Sequence, residues 1–228
     1  MYETKDSGSR EEYDTGAVRD TEEGKGRFDL LPMRLIMAIR RALPPGQSYY
    51  DGIRRFACLL ERGAAKYDDH NWLKGIPGSR GCSSMLRHAW QGLDVHLKGK
   101  ESRWYGEDHL AAVVFNACVA LHGPDFDLAD HLTLTPAVEG NVTWEFLIHD
   151  AAAAIQGRTD DITSVGGRAS DMSCGALVIQ AAATAIRLMQ AEEDQKGFLR
   201  ALKEAGEETV AAMNAGIEAV MVTKSAPL

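Results

Sequence analysis

The sequence predicts an all-α fold: a helical bundle of about seven helices behind a disordered N-terminal arm. Three observations carry this. Apolar residues recur every three or four positions in one segment after another. No segment alternates apolar and polar residues as a half-buried strand would. Clusters of Gly and Pro separate the periodic stretches.

Residues 1–20 are polar and charged, with almost no aliphatic side chains, which is the composition of a loose arm. Order begins near Asp29. In "DLLPMRLIMAIRRAL", Leu31, Leu35, Ile39 and Leu43 share one stripe; Asp29 is placed to cap the start, and Pro32 suits a first turn. "PPG" at 44–46 ends this helix. A second stripe runs through Ile53, Phe56, Ala57, Leu60 and Ala64, and Gly75, Pro77 and Gly78 mark the loop beyond it. The third helix is expected through Leu86, Trp90, Leu93 and Leu97. The fourth runs through Leu110, Val114, Ala117 and Leu121, closed by Gly123-Pro124.

Past a long loop at 123–141, a fifth helix follows Trp144, Ile148, Ala151 and Ile155. A sixth, 174–190, is apolar almost all round and suits a core or an interface. A last one follows Leu202, Val210, Met213, Ile217 and Val220. No internal repeat is present.

The net charge of −8, with 33 Asp and Glu against 25 Lys and Arg, argues against a DNA or RNA partner, which calls for a basic face. Cys58, Cys82, Cys118 and Cys174 lie far apart without a CxxC pair, as buried, reduced thiols of a cytoplasmic protein would. No apolar run reaches membrane-spanning length, so no membrane partner is expected.

Several residues can carry chemistry. Glu61 has Ala57, Ala64 and Ala65 as its helical neighbours, which leaves its carboxylate room to face another helix. Glu107 and Asp108 open the fourth helix. Carboxylates on facing helices build Mg2+ or Mn2+ sites, although acids at a helix start also simply suit its dipole. His88, beside Arg87, reads either as a structural histidine or as a ligand. Lys66, Tyr67, Asn71 and Trp72 crowd one helix exit, as a phosphate-and-base site would, or a capped turn with a Trp anchor. "GKGR" at 24–27 lacks the GxxxxGK[ST] spacing of a Walker loop. His149-Asp150 has the form of an HD-type phosphohydrolase pair, with His88, Asp160, Asp161 or Asp171 as partners.

Four blocks in order, "GAVRD…GKGRFDLLP", "LLERGAAKYDDHNWLKGIP", "SSMLRHAWQGL" and "GEDHLAAVVFNACVALH", resemble the N-terminal domain of phage-type dATP/dGTP diphosphohydrolases. These are similar to the MazG-like all-α nucleotide pyrophosphohydrolases. The resemblance covers about residues 16–123 and implies a catalytic helical core over 21–123. Residues 124–228 would complete the bundle or form an oligomer interface. It further implies metal-dependent hydrolysis of dGTP, and also dATP, to the monophosphate and pyrophosphate. The form resembled is that of phages using 2-aminoadenine, where dGMP feeds modified purine nucleotide synthesis in the host cytoplasm. Homodimers or homotetramers are implied as well.

Carried over residue by residue, the resemblance makes Glu61 and Asp108 metal ligands, with Glu107 next, and His88 a ligand or its orienter. Lys25, Arg27, Lys66 and Arg87 become phosphate contacts, and Asn71, Trp72 and Asn116 readers of base or sugar. One departure stands out. The MazG-like group carries ExxE and ExxD pairs, whereas Glu61 here has Cys58 and Ala64 three residues away, and Asp108 has Ala111. Glu107, His88, Asp94, Glu145 and Asp150 are the candidates to complete the shell. Two alternative functions are an HD-type dNTP triphosphohydrolase and a non-enzymatic helical nucleotide-binding or scaffold protein.

Overall fold

The computed structural model describes residues 8–21, 23–98, 107–122, 147–148 and 174–224; for 96–98, 174, 202, 205 and 208–224 it describes the backbone. The chain divides into two units, 1–189 and 190–228. Five α-helices are present among the described residues: α1 (Met33–Ala42), α2 (Tyr50–Tyr67), α3 (Gly78–Lys98), α4 (His109–His122) and α5 (Cys174–Lys224). The all-α expectation holds with fewer helices than the seven expected. The expected fifth helix lies outside the described residues except for the helical Leu147–Ile148, and the expected sixth and seventh are one continuous α5.

α5 does not break at "EEDQKG" because those residues, apart from Gly197, are acceptable helix formers, and a single mid-helix Gly costs only about 1 kcal/mol. The second unit adds local ion pairs, Lys196–Glu193 at 2.8 Å and Lys203–Glu207 at 3.7 Å.

The arm expectation is corrected over residues 10–20, which form an antiparallel hairpin, β1 (Arg10–Glu12) with β2 (Val18–Asp20). Its register sets Arg10 opposite Asp20 and Glu11 opposite Arg19. Such cross-strand charge pairs stabilise a hairpin without the apolar alternation that usually betrays one. Gly16, at φ +79°, makes the turn, its N–H donating to the Tyr13 carbonyl at 2.7 Å.

The expected stripes of α1 and α2 form the core: Leu31, Leu35, Ile39, Leu43, Phe56, Ala57 and Leu60 are all buried. Asp29 does not cap α1. It lies in a 3-10 turn, Phe28–Leu30, and Pro32 precedes the helix without a side-chain cap. α4 is buried on nearly every side, as a helix apolar all round must be, and residues 175–186 of α5 are likewise buried.

α3 corrects its expected stripe. Trp90 is 56% exposed, and the buried positions are Gly81, Met85, His88, Ala89 and Gly92. Small residues carry this face because α3 and α4 approach closely. A Cβ on Gly81 would lie 2.7 Å from the Ala120 nitrogen and 2.9 Å from the Asn116 carbonyl oxygen, both backbone atoms. Gly81→Ala therefore forces two helices apart. Because the clash is with backbone atoms, the overpacking cost lies toward the upper end of about 1–3 kcal/mol and outweighs the propensity gain of about 1 kcal/mol, so its urea midpoint falls. Gly197→Ala, with nothing within 4 Å, gives no such loss.

Candidate active site

A cavity of about 730 Å3 opens among the C-terminal half of α2, the turn after it, α3 and the start of α4. Lys66, Asn71, Trp72, Arg87, His88, Glu107, Asp108 and Asn116 all line it. One wall is aromatic. The buried Trp72 sets its indole edge-on to Phe115 (centroids 6.3 Å apart) and to His122 (5.2 Å). The Lys66 ammonium lies 4.7 Å from the centre of the exposed Tyr67 ring, with its pKa raised by its contact with Tyr67. Asn116 donates its amide N–H to the Ala112 carbonyl at 2.8 Å.

His88 from α3 and His109 from α4 are both buried, and their Nδ1 atoms are 3.3 Å apart. Burial pushes the His88 imidazole from 6.5 down to about 4, against the pull of Glu107 and aided by Arg87 and His109. Burial lowers His109 too, opposed by Glu107 and Asp108. Both rings are thus neutral at pH 7, the form in which imidazole binds a metal.

Their tautomers follow from donor logic. A guanidinium only donates, so Arg87, 3.2 Å away, makes His88 Nε2 an acceptor. His88 then carries its hydrogen on Nδ1 and donates to His109 Nδ1. His109 in turn carries its hydrogen on Nε2, a buried atom without a hydrogen-bond partner among the described residues. Glu107 lies 3.8 Å from His88 Nε2, and single donor atoms of His88, Glu107 and His109 all fall within 4.8 Å of one another. In that tautomer His109 Nε2 is an N–H and offers no lone pair. An ion held by this triple would require His109 to move its hydrogen to Nδ1 and the His88–His109 contact to open; on those terms two imidazoles and a carboxylate make a donor set for a divalent ion. Two nitrogens with one oxygen suit Mn2+ better than Mg2+, which prefers all-oxygen shells.

The other expected ligands have protein partners. Asp108 forms a two-point pair with Arg55 of α2, Nε–Oδ2 at 2.8 Å and Nη2–Oδ1 at 3.0 Å. It also accepts the Ala111 N–H at 3.1 Å, capping α4. Glu61 lies outside the cavity lining, and its carboxylate accepts the N–H groups of Gly24 (2.9 Å) and Gly26 (3.1 Å). Arg27 binds Asp29 and Asp69, while Lys25 is exposed; neither lines the cavity.

Three residues were not read from the sequence: His109, Arg55 and Asp69. Only His109 left a signal, a lone histidine beside "GED" at the head of an otherwise apolar helix. His149-Asp150, Asp160, Asp161, Asp171 and Glu145 lie outside the described residues.

A helical domain that gathers three cations, Arg62, Lys66 and Arg87, an aromatic wall and a carboxylate–imidazole cluster around one cavity has the equipment of a hydrolase for phosphorylated, ring-bearing small molecules. The comparison with known families specifies it. Residues 15–127 match the family model described as dATP/dGTP diphosphohydrolase, N-terminal, and this segment belongs to that family. The chain is accordingly an enzyme, a hydrolase acting on the anhydride bonds of nucleoside triphosphates. No curated protein and no solved structure matches the chain. Among the described residues, no helix is long and apolar enough to cross a membrane.

Proposed function

We propose that the chain converts dGTP, and also dATP, to the monophosphate and pyrophosphate, with Mn2+ or Mg2+ held by His88, Glu107 and His109. The carrying observation is one cavity lined by Lys66, Arg87 and Trp72 together with His88 and Glu107, two members of this triple, with His109 buried beside them. Its volume falls in the range of small-ligand sites. Lys66 and Arg87 face a triphosphate with two positive charges, and Arg87 can grip two of its oxygens at once. Trp72 and Phe115 offer apolar area to a purine, and the amides of Asn71 and Asn116 stand beside them for polar groups of base or sugar. A divalent ion, when bound, adds charge neutralisation and activation of the attacking water. Such a reaction needs little more than positioning and charge compensation, which these side chains supply. The resemblance extends the proposal to a homodimer or homotetramer in a host cytoplasm, with dGMP passed to modified purine nucleotide synthesis.

The test is chromatography of dGTP incubated with the protein and Mn2+. Equal amounts of dGMP and pyrophosphate are expected, with none formed after EDTA. Deoxyguanosine with tripolyphosphate would instead mark the triphosphohydrolase reading.

A further inference from the structure

The segment "GKGR" binds protein rather than lying open for phosphate. Gly26, at φ +84°, lies so close to α2 that a Cβ there would meet the Ala57 Cβ at 2.9 Å and the Cys58 nitrogen at 3.0 Å. The Glu61 carboxylate takes the Gly24 and Gly26 N–H groups, and the Arg27 N–H donates to the Ala57 carbonyl at 3.2 Å. These contacts fix the Arg27 backbone on α2. Its guanidinium then bridges two acids: Asp29, through Nε at 2.8 Å and Nη2 at 2.7 Å, and Asp69, through Nη2 at 2.9 Å and Nη1 at 3.4 Å.

Asp69 holds a special place. Its neighbours Asp68 (φ +77°) and His70 (φ +54°) are the only non-glycine residues with positive φ among those described. A side chain in the left-handed region is strained, and such a turn needs an outside hold. From 66 to 72, every residue but Asp69 lines the cavity. Asp69 alone turns away, toward Arg27.

We infer that Arg27 is a positioning residue: by clamping Asp69 it sets the left-handed turn that presents Asn71 and Trp72 to the substrate. An exposed ion pair is weak against global unfolding but comparable with the strain of one such residue. The clamp thus acts on the turn and hardly on the fold. This role differs from the phosphate contact expected of Arg27, and the two predict opposite behaviour for Asp69.

The test uses Arg27→Ala, Arg27→Lys, Asp69→Asn and the Arg27→Ala/Asp69→Asn double variant. Hydrogen exchange is measured first, without nucleotide. In Arg27→Ala and Asp69→Asn, the amides of 70–73 exchange about tenfold faster, equal to about 1.4 kcal/mol, with α4 unchanged and melting temperature nearly constant. Kinetics come second and rest on the hydrolase reading above. Each single variant raises KM for dGTP about tenfold at near-constant kcat, the double variant is no worse than either, and lysine, lacking the planar fork, does not rescue. Unchanged exchange at 70–73 overturns the inference. So does an Asp69→Asn variant with wild-type KM beside a weakened Arg27→Ala, because Arg27 would then be touching the phosphates. A wild type that turns over no dNTP sinks the hydrolase reading, and the exchange measurement still decides the clamp.

Discussion

His109→Ala lowers kcat/KM for dGTP about 10²- to 10³-fold and weakens Mn2+ binding in the absence of nucleotide by about 10-fold or more. The expectation rests on three facts. Among the described residues, His109 Nε2 is a buried nitrogen without a partner. Its ring and that of His88 are held neutral by burial. Glu107 supplies the only carboxylate of the triple, and it is exposed. Glu107→Gln is the cleaner companion, since its exposed side chain contributes little to folding. It removes one charge from the site, and its loss of activity is partly recovered at high Mn2+. Glu61→Gln separates this site from the one expected by resemblance. Glu61 holds the Gly24 and Gly26 amides, so its substitution disturbs the loop before α1 while leaving Mn2+ affinity intact. Titration of Mn2+ followed by electron paramagnetic resonance reads all three variants. Equal affinity in wild type, His109→Ala and Glu107→Gln would dismiss the triple as the metal site. A large loss in Glu61→Gln alone would restore the expected assignment.

What the sequence revealed depended on what kind of residue made the contact. Large aliphatic residues at helical spacing foretold the buried faces of α1 and α2. The same rule failed on α3, where Gly81 makes the close contact with α4, Ala89 and Gly92 are buried, and the prominent Trp90 is exposed. A periodicity of large side chains is blind to an interface made by their absence. In the site, Lys66, Asn71 and Trp72 could be grouped because they are neighbours in the chain. Arg87, His88, Glu107 and Asn116 joined them because helices carry them to one cavity. The partners of the charged groups were the illegible part. Arg55 meets Asp108 across 53 residues and Arg27 meets Asp69 across 42, and no local pattern encodes such pairings. Glu61 was visible as an acid, but its partners are backbone N–H groups, which every sequence has everywhere.

The charged groups also divide by task. Those with protein partners, Glu61, Asp108, Arg55 and Arg27, tie elements together, whereas the cluster at His88, Glu107 and His109 retains a buried nitrogen unpartnered among the described residues. A buried polar atom left unpaired is costly, so its place in the fold points to something it meets during function.

The largest stability effect is expected at the first of these ties. Arg55 and Asp108 are 18% and 19% exposed, and their pair joins α2 to the residue that caps α4. Arg55 also donates to the Met189 carbonyl of α5 at 3.4 Å. Arg55→Ala leaves a half-buried carboxylate without its counter-ion. Breaking one side of a fully buried pair costs about 3–5 kcal/mol, and the partial exposure here reduces that to about 2–3 kcal/mol. For a chain of this size, that lowers the melting temperature by roughly 5–10 °C. Asp108→Asn costs less, because asparagine still caps the helix and leaves behind a guanidinium that water can reach. The double variant Arg55→Ala/Asp108→Asn is more stable than Arg55→Ala alone, since the stranded charge is gone. Glu107 and His109 flank Asp108 in the chain, so the Arg55→Ala variant also loses Mn2+ affinity, whereas Gly81→Ala, which is destabilised away from the triple, does not. If Arg55→Ala melts within about 1 °C of wild type, or if the double variant is the least stable of the three, the pair is a surface contact and α4 is positioned by its apolar packing alone.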